Sequence, residues 1–566
     1  ESLTVAKSLT FIGVNTPTVS GGGVSRVFTI TAGADVTMDG LIVGNGWLSN
    51  TLYTAGAGAG IFNAGHLTLT HSSVAGNTAV ANNGGGLYQT GVTATLQLLD
   101  SALVGNTAQQ GGGLYVDGGA AMLSNAVVST NIVTNAVATL GGGIAMNGAS
   151  TVVTVTNNSL VSGNRVVGNT ANNLGGGIHV QNGTLWLVDS TLSANYAYAL
   201  GGGLYIQNGG SHVITNSVIV SNTANQGAGL ATRATAPIAP LMIYDMTIYS
   251  NTALSGSAGG VYADPPLTII GGAIYSNTSN GGGAGVYASR DLTMTNVTVM
   301  GNNSNPSSVA GVFASASATI SGSRFENNRG SFGNGAGLYM SSAAGLLTLV
   351  DTQFISNTVI GYGGGLYSRG SVAMSGGEFR GNSATSSPAG SGLYVEKAVT
   401  ITAGVPYTYV DGFDLRGDLS LSDAFTFTAG AVNFVVAPNN PTTVVTHTLR
   451  GPALTSFNGL AVVDYAVLDV GSSVVTVTGI FTNAGVINRL APTQTIAALN
   501  TPYTFDDGVG AATAVITQTG GAAMNDTTVW VSAHLATTEI TCGAAQLPYG
   551  AIRRIFAITP ANATGV

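Results

Sequence analysis

The chain has 566 residues, 83 of them Gly, and charged residues make up only 7% of it. Soluble domains usually carry roughly 25% charged residues, so this composition indicates either a membrane protein or an unusual architecture. A membrane-spanning helix needs about 20 predominantly apolar residues in a row, and Gly, Asn, Thr or Ser interrupts every apolar stretch before that length. Glycine follows no strict third-residue period, which excludes collagen. A hydrophobic content of 45% argues against disorder.

The charge and cysteine content exclude further classes. A net charge of −8 argues against nucleic acid as a partner. Cys542 is the single cysteine, so the chain can form neither an intrachain disulfide nor a cysteine-based zinc site. The sequence begins at Glu1, and we expect a processed or partial N-terminus from which any export signal has been lost.

The first repeated motif is a Gly-rich run followed by an aliphatic residue and often by Tyr. Clear copies are 84–88, 111–115, 141–144, 175–178 and 201–205, and looser copies end at Leu230, Val261, Val286, Val312, Leu338, Leu366 and Leu393.

The second motif is an apolar residue followed three positions later by Asn, roughly ten residues before each Gly-rich run. Its Asn residues are Asn77, Asn106, Asn195, Asn222, Asn251, Asn277, Asn302, Asn328, Asn357 and Asn382. The two motifs recur together about every 25–34 residues, a period typical of solenoids.

The composition of each repeat favours strands over helices. Each repeat contains several Gly and many β-branched residues, which are poor helix formers. Short alternating stretches such as 67–70 and 151–155 lie between the motifs and have the period of two expected for strands. The sequence therefore predicts an all-β protein, a parallel β-solenoid of roughly 14 coils over residues 1–402.

This architecture gives the motif residues structural roles. Glycine permits a positive φ or a close approach of two backbones at a corner, and we assign that role to Gly85, Gly112, Gly142, Gly176, Gly202 and Gly364. Asn tolerates turn conformations, and stacked copies can form an amide ladder. The aliphatic residues after the Gly runs are predicted to point inward, and the Tyr residues that follow them are predicted to form an outward stripe.

The paired motifs, Gly-Gly-Gly/Ala-aliphatic and Phe-x-x-Asn, resemble the repeats of polymorphic outer-membrane proteins. Three copies keep the Phe, at Phe325, Phe354 and Phe379. The stretch 8–30 looks like the entry coils of large secreted bacterial β-helix proteins. The resemblance implies a right-handed β-helix at a bacterial surface. Such helices serve adhesins, surface layers and polysaccharide enzymes alike.

The Gly-rich motif stops after about Thr402, and the rest of the chain differs. Residues 403–490 are predicted to form an irregular β-solenoid extension. Residues 491–566 read as short strands with turn signals, which predicts a small β-sandwich-like domain. Segment 553–560 resembles a strand near the end of bacterial surface modules, and we expect this domain to be incomplete or completed by another chain.

The acidic residues of the predicted solenoid do not cluster as an active site would require. The solenoid's acids occur about one per coil, at Asp189, Asp245, Asp264, Asp291, Glu326, Asp351 and Glu378. Asp351 and Glu378 are predicted to lie near equivalent register, as are Asp264 and Asp291. The densest charged group is Arg324, Glu326 and Arg329, which we interpret as a solvated loop with surface ion pairs.

The histidines and the remaining acidic residues are also better explained as surface or turn residues than as a catalytic or metal site. The histidines His66, His71, His179, His212, His447 and His534 have no metal-ligand spacing. Asp411, Asp414, Asp418 and Asp423 could offer oxygens to calcium, but an acidic turn explains them better. We predict no catalytic residues, no cofactor and no metal site. The sequons at Asn157, Asn182, Asn277, Asn296, Asn302, Asn525 and Asn562 could carry glycans.

The sequence thus predicts a non-enzymatic structural or adhesive protein, extracellular or at the cell surface, that could be a subunit of a filament, sheath or surface layer. Bare solenoid ends expose unpaired strands, so we expect self-association or other surface proteins as partners. Glycans are further candidate partners, whereas nucleic acid and a membrane span are not expected. The alternative is a β-helix that binds or cleaves polysaccharides.

Overall fold

Strands, turns and bends make up the described part of the chain, which contains no helix. The computed structural model describes residues 2–49, 57–134, 139–168, 170–207, 211–233, 240–305, 309–385 and 392–409, then residue 411 and the stretches 413–416, 419–421, 426–434, 445–450, 454–462, 466–471, 474–483, 486–490, 494–496, 502–506, 513–517, 524–534 and 553–559. These residues fall into two compact units, residues 1–317 with 322–339, and residues 318–321 with 340–566.

A turn of the first unit contains four strands. In one turn they are Ile61–Asn63, His66–Thr70, Ser73–Ala75 and Thr78–Ala79, which we call the first, second, third and fourth strands. Each strand pairs in parallel with the strand of the same position in the turns before and after it, as Thr95–Leu99 does with the second strand above. This arrangement is a parallel β-solenoid.

The first and second strands of the first unit differ in length. The first strands are Leu3–Val5, Phe28–Ile30, Ile61–Asn63, Leu87–Thr90, Leu114–Asp117, Ile144–Met146, Ile178–Val180, Leu204–Ile206, Leu230–Thr232, Val261–Ala263, Val286–Ala288, Val312–Ala314 and Leu338–Met340, the last of which ends at the unit boundary. The second strands are Leu9–Ile12, Asp35–Asp39, His66–Thr70, Thr95–Leu99, Ala120–Ser124, Val152–Thr156, Thr184–Val188, Val213–Thr215, Leu241–Tyr244, Leu267–Ile270 and Leu292–Thr295.

The third and fourth strands are shorter. The third strands are Thr18–Ser20, Ile42–Gly44, Ser73–Ala75, Ala102–Val104, Val127–Ser129, Leu160–Ser162, Thr191–Ser193, Val218–Val220, Thr247–Tyr249, Ala273–Tyr275, Thr298–Met300 and Arg324–Glu326. The fourth strands are Trp47–Leu48, Thr78–Ala79, Thr107–Ala108, Ile132–Thr134, Arg165–Val167, Tyr196–Ala197, Thr223–Ala224, Thr252–Ala253, Thr278–Ser279, Asn303–Ser304 and Arg329–Gly330. Thr139–Leu140 and Asn173–Leu174 form a small extra pair.

The core of the first unit consists of aliphatic columns inside the turns. Alternate residues of a strand face opposite sides, so in Leu87–Thr90 the side chain of Leu87 is buried while Tyr88 faces outward. Leu87 lies in register with Leu114, and Leu114 with Ile144. A second column contains Val74, Leu103 and Val128, the apolar residues of the Asn motif. Both columns are fully buried, which fits the alternation seen in the sequence.

The second unit begins with turns of the same kind. Its strands are Ala318–Ser321, Leu346–Val350, Gln353–Ile355, Thr358–Val359, Leu366–Ser368, Ser371–Arg380, Ser383–Ala384, Leu393–Val395, Val399–Tyr409, Phe413–Leu415, Leu419–Leu421, Thr426–Phe434, Val445–Arg450, Leu454–Val462, Ala466–Gly471, Val474–Asn483, Val486–Leu490, Gln494–Ile496, Pro502–Asp506, Thr513–Thr517, Met524–His534 and Arg553–Thr559. The rings of Phe354 and Phe379 stack 4.8 Å apart in its core.

The predicted fold class is confirmed. First strands recur from Leu3–Val5 to Leu393–Val395, which corresponds to about 14 turns in the described residues of the two units. The pairing of neighbouring strands stays parallel as far as Val486–Leu490, which pairs antiparallel with Met524–His534. The predicted boundaries at 402/403 and 490/491 remain predictions.

Candidate functional site

The Asn residues of the second motif form one buried ladder in each unit. The side-chain Nδ2 of each Asn donates to Oδ1 of the Asn one turn later, at 2.9–3.0 Å. In the first unit the rungs are Asn77, Asn106, Asn131, Asn164, Asn195, Asn222, Asn251, Asn277, Asn302 and Asn328; in the second they are Asn357 and Asn382. Every rung is buried, so the ladder is an internal feature of the stack.

A rung inside the ladder can use its whole hydrogen-bonding capacity, as Asn222 does. Nδ2 of Asn222 donates to Oδ1 of Asn251 and also to the carbonyl of Leu192. Its Oδ1 accepts both the backbone N–H and the side-chain Nδ2–H of Asn195. An amide offers two donors and two acceptor lone pairs, so no polar capacity of this buried side chain is left unpaired. Such saturation stabilises a buried polar group that would otherwise cost free energy.

The glycines assigned to the corners lie where two backbones approach closely. A Cβ on Gly85, Gly112, Gly142, Gly176, Gly202 or Gly364 would come within 2.4–2.6 Å of a backbone oxygen. In the first unit that oxygen belongs in part to the same residue of the next turn, as with Gly112 and Gly142. Ala228 holds this position in the turn after Gly202, so the requirement differs from turn to turn.

The two sequence motifs meet inside each turn. The last glycine of the run contacts the Asn ladder, because a Cβ on Gly203 would lie 3.0 Å from Nδ2 of Asn222. Gly86 and Gly113 stand in the same relation to Asn106 and Asn131. A side chain at this glycine would displace a rung, which explains why the Gly run and the Asn recur together along the sequence.

Two rungs and a second polar column were missed by the sequence analysis. Asn131 and Asn164 follow Val128 and Val161 by three residues, so the apolar-x-x-Asn pattern contained the signal for both. The second column consists of buried Ser residues at the corner between the second and third strands. There the Ser72 N–H donates to Oγ of Ser101 at 2.9 Å, and similar bonds join Ser190 to Ser217.

Asp411 ends the ladder of the second unit. Its carboxylate accepts the backbone N–H groups of Gly381 and Asn382, each at 2.8 Å, and the Nδ2–H of Asn382 at 2.6 Å. A carboxylate accepts hydrogen bonds but donates none, so Asp411 satisfies the last rung and needs no further rung itself. Of the other acids considered for calcium, Asp418 and Asp423 lie outside the described residues, and only the backbone of Asp414 is described.

The two acid pairs lie near equivalent register but are not direct partners, because the members of each pair are two residues apart in register. Glu378 lies beside Gln353 rather than Asp351, and it forms an ion pair with Arg380 at 2.6 Å. Asp264 lies one residue after the Ala263–Ala288 pair, and its Oδ1 accepts the Ser289 hydroxyl. The corners differ in length by one or two residues, which moves acids of similar sequence spacing apart. Asp291 and Asp351 therefore have other neighbours.

Some of the surface charges form ion pairs. Arg324 and Glu326 form an ion pair at 2.8 Å within one third strand. No group of three or more His, Cys, Asp or Glu residues suited to a metal ion occurs among the described residues.

The described histidines occupy different surroundings. His71 is exposed and bonds to Asp39 at 3.0 Å, which raises the pKa of His71 and lowers the pKa of Asp39. Burial lowers the pKa of His179 to about 3 and that of His212 to about 4. His179 stacks on Tyr205, and its Nε2 has no partner in the described part of the chain. The side chains of His447 and His534 lie outside the described ones.

The outward stripe of the first strands is a set of stacked rings. Phe62, Tyr88 and Tyr115 stack at 5.7 and 5.4 Å, and Tyr262, Tyr287 and Phe313 at 5.2 and 4.6 Å. Burial raises the pKa of Tyr205 and of Tyr262 to about 12. The ring faces contact one another. Tyr88 and Tyr287 remain partly exposed, whereas Tyr115 and Tyr205 are buried, so the predicted outward stripe is only partly exposed.

Two open clefts lie on the first unit. One, of about 510 Å³, lies at the corner between the second and third strands and is lined by His71, Ser73, Asp100, Asn125 and neighbouring residues. The other, of about 370 Å³, lies beside Phe62 and Tyr88. Both contain groups that can hydrogen-bond a polar ligand.

Residues 176–354 match a family model. That model describes the right handed beta helix region. The matched turns contain Gly176, Gly202 and the rungs from Asn195 to Asn328, so the right-handed parallel β-helix is supported by both sequence and structure. Comparison with curated proteins and with solved structures found no match. The described residues include no helix long and apolar enough to cross a membrane.

Proposed function

We propose that this chain is a non-enzymatic structural or adhesive protein of a bacterial cell surface, in which the β-helix acts as a stalk or as a subunit of a filament, sheath or surface layer. The observation that supports the proposal is the pair of Asn ladders. The side chains that recur in turn after turn are buried and bonded to their own copies. Residues repeated in this way stabilise the stack and are not available to a substrate.

A localisation experiment tests this proposal. Antibodies against the native protein, applied to intact cells and viewed by electron microscopy, should label extended material outside the cell envelope. Labelling that appears only after the cells are permeabilised would contradict a surface role.

The second candidate is a β-helix that binds or cleaves polysaccharides. The cleft at the corner between the second and third strands favours it, because His71, Asp100 and Asn125 bring an imidazole, a carboxylate and an amide to one opening. Incubation with pectin, alginate and related glycans, followed by measurement of unsaturated products and new reducing ends, distinguishes the two. Turnover that is lost in His71→Ala would replace our proposal with this one.

A further inference from the structure

One face of the first unit combines exposed apolar side chains with very little charge. It consists of the outward residues of the second and third strands in the five turns from Thr184–Val188 to Thr298–Met300, and we call it the neutral face. Trp186, Met242 and Met300 are 47, 40 and 37% exposed, and Tyr244, Tyr249 and Tyr275 are half-buried there. Such large apolar side chains usually lie in a core or an interface.

Strand register brings these side chains together. Trp186 pairs with Val213, and Met242 follows in the next turn because Ile214 pairs with Ile243. On the third strands Tyr249 pairs with Tyr275, and Tyr275 with Met300. The Tyr249 and Tyr275 rings stack 4.8 Å apart at an angle of 6°. The apolar residues therefore form two columns, one on each side of the corner.

Charge is confined to the corner of the neutral face. The five turns contain no Lys, Arg, Asp or Glu on their second and third strands, and Asp189 and Asp245 lie at the corner between these strands. Both have a positive φ of 48°, which Asp tolerates better than most residues, and Asp189 accepts a bond from Asn216 at 2.5 Å. The face ends where Arg324 and Glu326 pair beside Thr298 and Met300.

The composition and size of the face suit a protein interface. Interface cores are enriched in Trp, Tyr and Met and depleted in Lys, Glu and Asp, and contiguous exposed apolar patches mark interaction sites. Five turns at ~4.8 Å extend about 24 Å, and the path from Thr184 to Ser193 is roughly 30 Å long. Counted along the chain around the corner, the face measures on the order of 700 Å² at most, against the ~800 Å² that each partner contributes to a stable interface.

We propose that the neutral face packs against the same face of a second copy of this chain. Each copy has a net charge of −8, so two copies repel each other wherever their acidic surfaces meet. A face whose charge is confined to two corner carboxylates is where they can approach closely enough to bury apolar area. This inference rests on the proposed structural role and names the surface through which the subunits associate.

Sedimentation of the full chain between 5 and 100 µM tests the interface. We expect the wild type to form a dimer, and Trp186→Glu to weaken it at least tenfold, because the change places a charge in the middle of an apolar contact. Leu254→Glu is the matched control, since Leu254 is 45% exposed but lies beyond a fourth strand, outside the neutral face. This control should leave the dimer intact. A photo-crosslinking residue in place of Tyr249 should give covalent dimers of the otherwise unaltered chain.

Three results would overturn the inference. The first is a wild type that is monomeric at 100 µM. The second is a dimer that Trp186→Glu leaves intact and that Tyr249 does not crosslink. The third is a monomer whose fluorescence changes with a neutral oligosaccharide, with the change lost in Trp186→Glu; this would make the face a sugar-binding surface. If the protein is monomeric but lies outside the cell and does not cleave glycans, the inferred interface is wrong while the proposed structural role is still supported.

Discussion

At the scale of single residues, the buried Asn is selected by its hydrogen-bonding capacity. An internal rung such as Asn222 donates twice and accepts twice, and a primary amide does both. Asp in the middle of a ladder could donate to neither the next rung nor a carbonyl, and Ser would provide one donor in place of two. The end position has a different requirement, which Asp411 meets by accepting only.

Replacing one rung should weaken the stack locally. In Asn222→Ala the backbone and side-chain N–H groups of Asn195 lose their acceptor, and the carbonyl of Leu192 loses a donor. Buried unpaired groups of this kind cost roughly 3 kcal/mol in total, equivalent to about hundredfold faster exchange where local opening controls the rate. Hydrogen exchange followed by mass spectrometry of the peptide around Asn195 measures this effect. Asn305→Ala changes an exposed Asn and should leave protection there unaltered; equal effects in both variants would refute the ladder's role.

The close approach at the middle glycine can be tested in the same way. A Cβ on Gly112 would lie 2.5 Å from the carbonyl oxygen of Gly142 and 2.9 Å from that of Ile132, so Gly112→Ala should lower the free energy of unfolding by about 3 kcal/mol. The control is Gly105→Ala. A Cβ on Gly105 would have no atom within 4 Å, but Gly105 has a φ of +62°, so this substitution should lower the free energy of unfolding by about 1 kcal/mol. Urea unfolding of both variants measures the two free energies of unfolding. If Gly112→Ala is no less stable than Gly105→Ala, the close backbone approach at Gly112 is not the reason for glycine there.

The exposed pair of His71 and Asp39 should respond to pH. The hydrogen bond between them raises the pKa of His71 above its ordinary 6.5 and lowers that of Asp39 below its ordinary 3.8. The contribution of His71 is complete below its ordinary value and is lost as pH rises through the raised pKa. That of Asp39 is complete above its ordinary value and is lost as pH falls through the lowered pKa. The pair is therefore strongest between these limits.

NMR titration of the histidine ring protons measures the effect. In Asp39→Asn the pKa of His71 should fall towards 6.5, and a His71→Gln variant assigns the signal. An unchanged titration in Asp39→Asn would show that the two side chains do not pair in solution.

At the scale of strands and ladders, the repeated turn could be predicted from the sequence. The alternation in segments such as 67–70 and the recurrence of Gly and Asn follow directly from the stacking of similar turns, so the fold could be read from the chain. Asn131 and Asn164 also carry the motif. The Ser72–Ser101 contacts could not be predicted from a single pattern, because Ser is common in this chain and Ala126 and Met246 hold the same corner in other turns. Which acids become neighbours depends on the exact length of each corner. The average spacing of the motifs does not reveal differences of one or two residues in corner length.

Asp411 could not be predicted as a ladder end, because it follows the last Gly-rich run and is not Asn. Replacing it with Ala should open the neighbouring turn. Three N–H groups of Gly381 and Asn382 lose their acceptor, and trypsin should cut after Arg380 at least tenfold faster. Asp411→Asn keeps one carbonyl oxygen and should have a smaller effect. Cleavage after Arg165, in the first unit, is the internal reference. If cleavage at both sites accelerates alike, Asp411 has no local role.

At the scale of the whole molecule, the low charge agrees with the turns burying most of their side chains against their own copies. The same stacking decides which sequons are accessible. Asn277 and Asn302 are 0% exposed, and their Nδ2 groups are both engaged in the ladder. Asn157 and Asn296 are exposed. Accessibility in this protein therefore cannot be judged from the sequon alone.

A soluble N-glycosyltransferase acting on the purified chain tests this distinction. Mass spectrometry should find glycan on Asn157 and Asn296 of the folded protein and none on Asn277 or Asn302. The urea-unfolded chain is the control and should accept glycan at all four. Modification of Asn277 or Asn302 in the folded protein would show that the ladder opens readily.

The direction of the ladder bonds has an electrical consequence. In both units each Asn donates towards the following turn and accepts from the preceding one, so the amide dipoles add head to tail, as peptide dipoles do in an α-helix. The positive pole of such a column is the end at which the last Nδ2–H emerges. In the second unit the group that meets this pole is the carboxylate of Asp411. Each ladder is thus polarised along its own length, and in the second unit an anion occupies the end of the column where a negative charge is favoured.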